Sequence, residues 1–336
     1  MLLHVVHVTR YQYTPWVENA NHVVHLKPAS KPGQTLLRHS LRISPTPAQR
    51  RDVLDAYGNS RSFFSMQTSH DVLRVVADSV VSTSSTPQGQ DTDNTCAVTV
   101  LPSLPWERAR DQFRYRAGAA YSAAWEFLFA SPYVPRDDAF MQFARPSFTP
   151  GRPLAEAAHD LMDRIHSTMV YESHSTEVST PALVALKQGK GVCQDFAHIM
   201  VACCRAMGLP ARYVSGYMLT QPPPGQPRLI GCDASHAWAS VYCPAPVGSD
   251  GTSTGQWLDF DPTNNRAPGE DYVTLAIGRD FLDVSPLRGV IRGGSQHILD
   301  VAVTVTPVES LESLESLESL ESLESSESVE PRGSEG

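Results

Sequence analysis

Cys193, His236 and Asp261 are the residues of this sequence whose types and settings could together perform nucleophilic chemistry. Cys193 belongs to the run Gly191-Val192-Cys193-Gln194-Asp195-Phe196-Ala197-His198. Apolar residues then recur at Phe196/Ala197, Met200, Cys203/Cys204 and Met207 until Gly208-Leu209-Pro210 ends the pattern. Spacings of three and four predict a helix with Cys193 in its first turn, on the stripe that faces the interior. The free N–H groups and positive dipole end of a first turn stabilise a thiolate. The Cys193 N–H could also hold the oxyanion formed when that sulfur attacks a carbonyl. No second oxyanion donor is identifiable from the sequence.

A nucleophile needs a base, and His236 supplies one in Ala234-Ser235-His236-Ala237-Trp238-Ala239-Ser240-Val241-Tyr242. Strict alternation predicts a strand with His236, Trp238, Ser240 and Tyr242 on one face. Gln256-Trp257-Leu258-Asp259-Phe260-Asp261-Pro262 predicts a second strand, and residues 244–255 between them are rich in Gly, Ser, Thr and Pro. The two should pair as an antiparallel hairpin. With Tyr242 opposite Gly255, His236 falls opposite Asp261 on the same face, where the carboxylate can orient the imidazole. A register slip would make Asp259, on the same face, the partner instead.

Other chemistry-bearing residues read more plainly. A lone Cys at a helix start is usually a small buried hydrophobe, and it is the pairing with His236 and Asp261 that argues otherwise here. Cys203 and Cys204 lie on the buried stripe and are expected to pack. His198, about the helix from Cys193, is expected to be a hydrogen-bonded core histidine. Asn264 and Asn265 are expected to satisfy backbone groups after the second strand. Cys232, His236 and Cys243 could be read as zinc ligands, but closely spaced ligand pairs are absent, so neither a metal nor a cofactor is expected. Gln188-Gly189-Lys190-Gly191 lacks the full phosphate-loop pattern.

The runs around Cys193, Ser235-His236-Ala237-Trp238 and Asp259-Phe260-Asp261-Pro262-Thr263-Asn264 resemble the transglutaminase-like superfamily of bacterial proteins. The resemblance extends through Arg205-Ala206-Met207-Gly208-Leu209-Pro210 to Tyr217, and through Gly278-Arg279-Asp280-Phe281. It reaches residue 307 and is weaker in the amino-terminal part. It implies a papain-like Cys-His-Asp triad, carried here by Cys193, His236 and Asp261, and members that act as transglutaminases, peptidases or amidases. The expectation is a thiol enzyme that makes a thioester from an amide bond of a peptide or protein substrate and releases it to water or an amine. The competing reading is a peptide-binding or scaffolding module on the same fold.

Around these residues the sequence divides by texture. Residues 1–105 show short alternating runs, such as 36–43 and 72–76, between Pro- and Gly-bearing turns, which predicts an N-terminal β-sandwich. Residues 106–308 predict an α+β unit, implied by the resemblance to be a papain-like transglutaminase core. Its helices are expected at 111–129, 154–169 and 182–187, the last capped by Thr180 with Pro181 in its first turn. Its strands are expected at 212–218, 236–242, 256–261 and 298–305. Residues 309–336 form an acidic extension in which Leu-Glu-Ser repeats from Leu311 to Ser325. A period of three builds no helical apolar face, so disorder is expected, with the tail as a candidate segment for a protein partner.

The chain has 336 residues and a formal net charge of −9. Nine Glu and one Arg in residues 309–336 account for −8, leaving about −1 for the body. A nearly neutral body argues against nucleic-acid or membrane partners. No run of eighteen apolar residues occurs, and the first ten residues read as a strand and not as a signal peptide. With six cysteines in no framework spacing, a reducing cytoplasmic setting is expected.

Overall fold

A computed structural model describes residues 1–84, 103–115, 117–118, 121–173, 175–220, 235–245 and 255–312. Five strands open the chain: β1 Leu2–Val24, β2 Gln34–Ser44, β3 Gln49–Leu54, β4 Ser60–Met66 and β5 His70–Thr83. A helical stretch follows with α1 Trp106–Gln112, α2 Asp138–Ala144 and α3 Leu154–Thr168. After β6 Val170–Tyr171 come α4 Ala182–Gln188, β7 Lys190–Gly191 and α5 Cys193–Ala206. The last described part comprises β8 Ala211–Met218, β9 Ser235–Pro244, β10 Gly255–Phe260, β11 Tyr272–Gly278, α6 Phe281–Val284, β12 Leu287–Gly293 and β13 Gln296–Pro307. The fold is α+β, an N-terminal antiparallel sheet joined to a helix-and-sheet core.

The first sheet is organised by β1. A straight strand of its 23 residues would span about 75 Å. Instead its register slips between Gln12 and Val17, and each half takes different neighbours. The first half lies between β5 and β13, with β2 outside β5. The second half lies between β4 and β12, with β3 outside β4. Leu73 and Val75 of β5, Phe64 and Met66 of β4, and Ile291 of β12 share one apolar cluster, so the two halves face each other across a core. The strand at 298–305, expected in the second unit, belongs to this first sheet through its pairing with β1. It follows β12 after a short turn, and it pairs with the side of β1 that β5 leaves open.

The second sheet has the order β10-β9-β8-β11. Helix α5 packs on β8 and β9 and is enclosed by α2, α3 and α4; residues 195–205 are buried without interruption. From 195 to 205 it is therefore a central helix with no exposed face, in place of the one-sided stripe its spacing predicted. Leu3 and Val5 of β1, with Val303 and Val305 of β13, pack against Tyr217 of β8 and Val273 of β11, which joins the two sheets in one core. His7 Nδ1 and the Tyr217 hydroxyl meet at 2.9 Å across that junction.

Strand β11 is an edge, and its free backbone groups are covered by side-chain amides from the first sheet. Gln34 accepts from Thr274 N at 2.7 Å and donates to Thr274 O at 2.8 Å. Asn59 does the same at Ile277, at 2.8 and 2.7 Å. Both amides are buried, so the edge is closed to further strands.

The single helix expected over 111–129 does not form. α1 ends at Gln112, Gly118 has φ +78°, and residues 123–128 form a 3₁₀ turn. Thr180 does not cap α4: Pro181 occupies that position, and the Thr180 hydroxyl accepts from Glu177 N. The connection at 246–254, Cys232 and the repeats beyond residue 312 lie outside the described residues. Among the described residues no helix is long and apolar enough to cross a membrane.

Candidate active site

Local chemistry fixes where α5 begins. Val192 is extended, and Asp195, three residues on, turns back so that its Oδ2 accepts from Val192 N at 2.9 Å and from Thr176 Oγ1 at 2.6 Å. This is the carboxylate half of a reciprocal cap; Val192 has no side-chain acceptor for the other half. A Cβ at position 191 would lie 2.7 Å from Asp195 atoms, so glycine there is what lets the carboxylate approach. Burial raises the pKa of Asp195 against the two hydrogen bonds. Gln194 Nε2 donates to Val178 O at 2.8 Å, holding residues 176–178 along the same helix end. Cys193 is thus presented half-buried at the first turn, its Sγ 4.0 Å from Ser235 O at the start of β9.

His236 is the next residue of β9, aligned with Gly216 of β8 and buried. Its Nε2 lies 2.6 Å from Asp261 Oδ2, so Nδ1 is the ring nitrogen not committed to the carboxylate, and the nearby Cys193 sulfur bears on the ring's protonation. Burial disfavours the imidazolium, but the hydrogen bond and charge of Asp261, with the neighbouring Cys193, outweigh it and carry His236 up to about 10. Asp261 is fully buried. Burial alone would raise its pKa, yet donors from His236, Asn264 and Tyr272 hold it below the ordinary carboxylate value. Both partners are therefore stabilised in their charged forms.

The hairpin register differs from the expected one. Gly255 aligns with Pro244 and Phe260 with Ala239, which sets Asp261 beside Trp238 and not beside His236. A slip of two residues keeps every side chain on its face, because strand side chains alternate with period two. His236 therefore still reaches Asp261, along a diagonal. The alternative partner, Asp259, aligns with Ser240 and pairs with Lys31 at 3.5 Å.

Beside these residues, Tyr272 escaped the sequence reading and Asn264 has a partner other than the expected one. Tyr272 donates its hydroxyl to Asp261 Oδ2 at 2.7 Å. Asn264, expected to bond backbone, instead donates Nδ2 to the same oxygen at 2.7 Å, while Asn265 takes the left-handed φ of 52° in the turn. The short run from Tyr272 to Ile277, rich in aromatic and β-branched residues, is a strand signal that could have placed Tyr272; only its pairing with β8 brings it to Asp261.

The remaining candidates lie elsewhere. Cys203 and Cys204 are buried in the helix core, with their thiol pKa values raised by burial. Cys243 is in that core too, on the opposite face of β9 from His236, which separates two of the three residues weighed as zinc ligands. His198 accepts from Phe281 N at 3.1 Å and stacks on Tyr133; burial lowers it to about 3.

Residues 142–262, which contain Cys193, His236 and Asp261, match the transglutaminase-like superfamily, and residues 3–82 match the bacterial transglutaminase-like N-terminal region. The chain belongs to the transglutaminase-like superfamily. Relatives of this transglutaminase-like chain in Mycobacterium bovis and Mycobacterium tuberculosis are uncharacterised proteins. Each is 41% identical over 307 residues, covering 91% of this chain and 92% of its own. A Mycobacterium leprae protein, also uncharacterised, is 29% identical over 310 residues, covering 90% of this chain and 98% of its own. A solved structure of a cysteine protease candidate from Cytophaga hutchinsonii superposes with a TM-score of 0.66 at 20% identity, covering 92% of this chain and 91% of that one. That likeness spans both sheets, so the transglutaminase-like core and its N-terminal sheet recur together as a fold.

Proposed function

We propose that this chain is a thiol enzyme that cleaves amide bonds of a peptide or protein through a thioester on Cys193. The observation that carries the reading is the imidazole of His236, bonded at 2.6 Å to a buried carboxylate, with the helix-start thiol of Cys193 at 4.0 Å from the backbone oxygen of the residue before it.

In this reading Cys193 Sγ bonds to the amide carbon, and the carbonyl electron pair moves to oxygen, which the Cys193 N–H receives. Collapse expels the amine, which takes the proton from His236 Nδ1 and leaves a thioester beside a neutral imidazole. Water then attacks the thioester carbon and gives its proton to Nδ1. The carboxylic acid departs, and the thiolate and imidazolium are restored. An amine in place of water gives transamidation by the same steps. Hydrolysis is favoured because water needs no second binding site.

The test is alkylation of each cysteine by iodoacetamide across pH, read by peptide mass spectrometry, in the wild type and His236→Ala. Cys193 is expected to react fastest at a pH well below the ordinary thiol value of about 8.5 and to lose that lead without His236. A Cys193 that reacts no faster than the other cysteines would defeat the enzyme reading in favour of a binding module.

A further inference from the structure

Asp261 has more donors than a carboxylate ordinarily holds. Oδ2 receives His236 Nε2 at 2.6 Å, Tyr272 Oη at 2.7 Å and Asn264 Nδ2 at 2.7 Å; Oδ1 receives Thr263 N at 2.9 Å and Asn264 N at 3.2 Å. An ionised carboxylate offers about four lone-pair sites, so five donors saturate it. The division is uneven, because three donors share the oxygen that His236 uses.

We propose that Asn264 and Tyr272 are positioning residues of the triad, which set how firmly His236 keeps its proton by drawing on the Asp261 oxygen it is bound to. This rests on the proposed role of His236 as partner to Cys193. Each hydrogen bond that Oδ2 accepts from Tyr272 or Asn264 spreads its negative charge and weakens its pull on the imidazolium. Asn264 acts a second way: its Nδ2 lies 3.3 Å from His236 Nε2, and since both are donors to Asp261 this is a like-dipole approach. Asn264 is itself exposed, so its amide covers the buried His236–Asp261 bond from the solvent side.

Tyr272 is held for this task. Its ring sits edge-on to Trp238 at 5.5 Å, and the Arg266 guanidinium lies 4.6 Å over it, paired in turn with Asp271. Burial and Asp261 push the Tyr272 phenol well above its ordinary pKa, so it remains a donor. The charged or titratable groups around His236 are thus Asp261, Cys193 and Tyr272, with Arg266 and Asp271 behind Tyr272. Tyr171 and Tyr213 stand near the sulfur, and Asp259 with Lys31 lies further along β9.

The experiment is the titration of His236 by NMR of ¹³C-labelled histidine rings, assigned against His236→Ala. It is run on Tyr272→Phe and Asn264→Ala, each with Cys193 intact and with Cys193→Ala. Tyr272→Phe is expected to raise the His236 midpoint by about one pH unit, tenfold in proton affinity, in both backgrounds. Asn264→Ala should shift it the same way. A midpoint that stays put or falls in both variants overturns the proposal. If Tyr272→Phe does not fold, the exposed Asn264→Ala decides alone. A merely structural role would lower stability without moving the midpoint. The reading of Cys193 fails separately, by a His236 midpoint that Cys193→Ala does not lower.

Discussion

His236 and Asp261 meet on a diagonal of the hairpin, two residues out of direct alignment, yet their side chains close to 2.6 Å. Trp238 occupies the aligned position and is fully buried against the rings of His236 and Tyr272, with its indole N–H unpartnered among the described residues. The diagonal leaves Asp261 beyond the end of β10, in a turn bridged to Arg266. There its second oxygen can take the backbone donors that hold it ionised.

Asp261→Asn keeps the shape but removes the charge that holds the imidazolium. The variant should lose about 10²–10⁴-fold in turnover once a substrate is in hand. Its Cys193 alkylation at pH 6 to 7 should fall to that of the other cysteines. Retention of fast alkylation would show that Asp261 does not support the pair.

Gly216 lies under Trp238. A Cβ there would stand 2.2 Å from Val273 O and 2.5 Å from the indole. Gly216→Ala should therefore cost about 1–3 kcal/mol in a urea titration and slow Cys193 alkylation by displacing the His236 strand. Wild-type stability in this variant would contradict the packing described.

The amides on the edge of β11 should be separable from the site. Asn59→Ala leaves Ile277 N and O unpaired and should destabilise the fold by about 1–3 kcal/mol. Faster amide hydrogen exchange should be confined to residues near Ile277, while Cys193 reactivity is unchanged. Exchange that accelerates equally through α5 would mean that the two sheets unfold as one unit.

Acid should destabilise the protein through its buried neutral histidines. Burial lowers His7 and His22 to about 4 and His198 to about 3; neither ring nitrogen of His22 has a partner among the described residues. With folded values below the ordinary 6.5, the unfolded chain binds more protons beneath that pH. Their stabilising contribution is complete above 6.5 and is lost as pH falls toward 4. His236 has the opposite sign, contributing below 6.5 and losing that contribution as pH rises through about 10. His22→Phe should flatten the acid side of a stability profile measured from pH 7.5 to 4.5. An unchanged slope would show that His22 is not a source of the acid sensitivity.

By itself, the sequence determined the local parts of the site. Apolar spacing set a helix starting at Cys193, and alternation set a strand carrying His236 and another leading into Asp261, because each depends only on neighbours within a few residues. Even the error in register left His236 and Asp261 on one face, since a two-residue slip conserves the pleat. Tertiary structure decided what lies between distant segments. It placed Tyr272 and Asn264 on the Asp261 oxygen, buried both sides of α5, and set 296–307 beside β1 and not in the second sheet. Those outcomes depend on which hydrogen-bonding edges are left open when the chain packs, a property of the assembled sheets that no local pattern of residues carries.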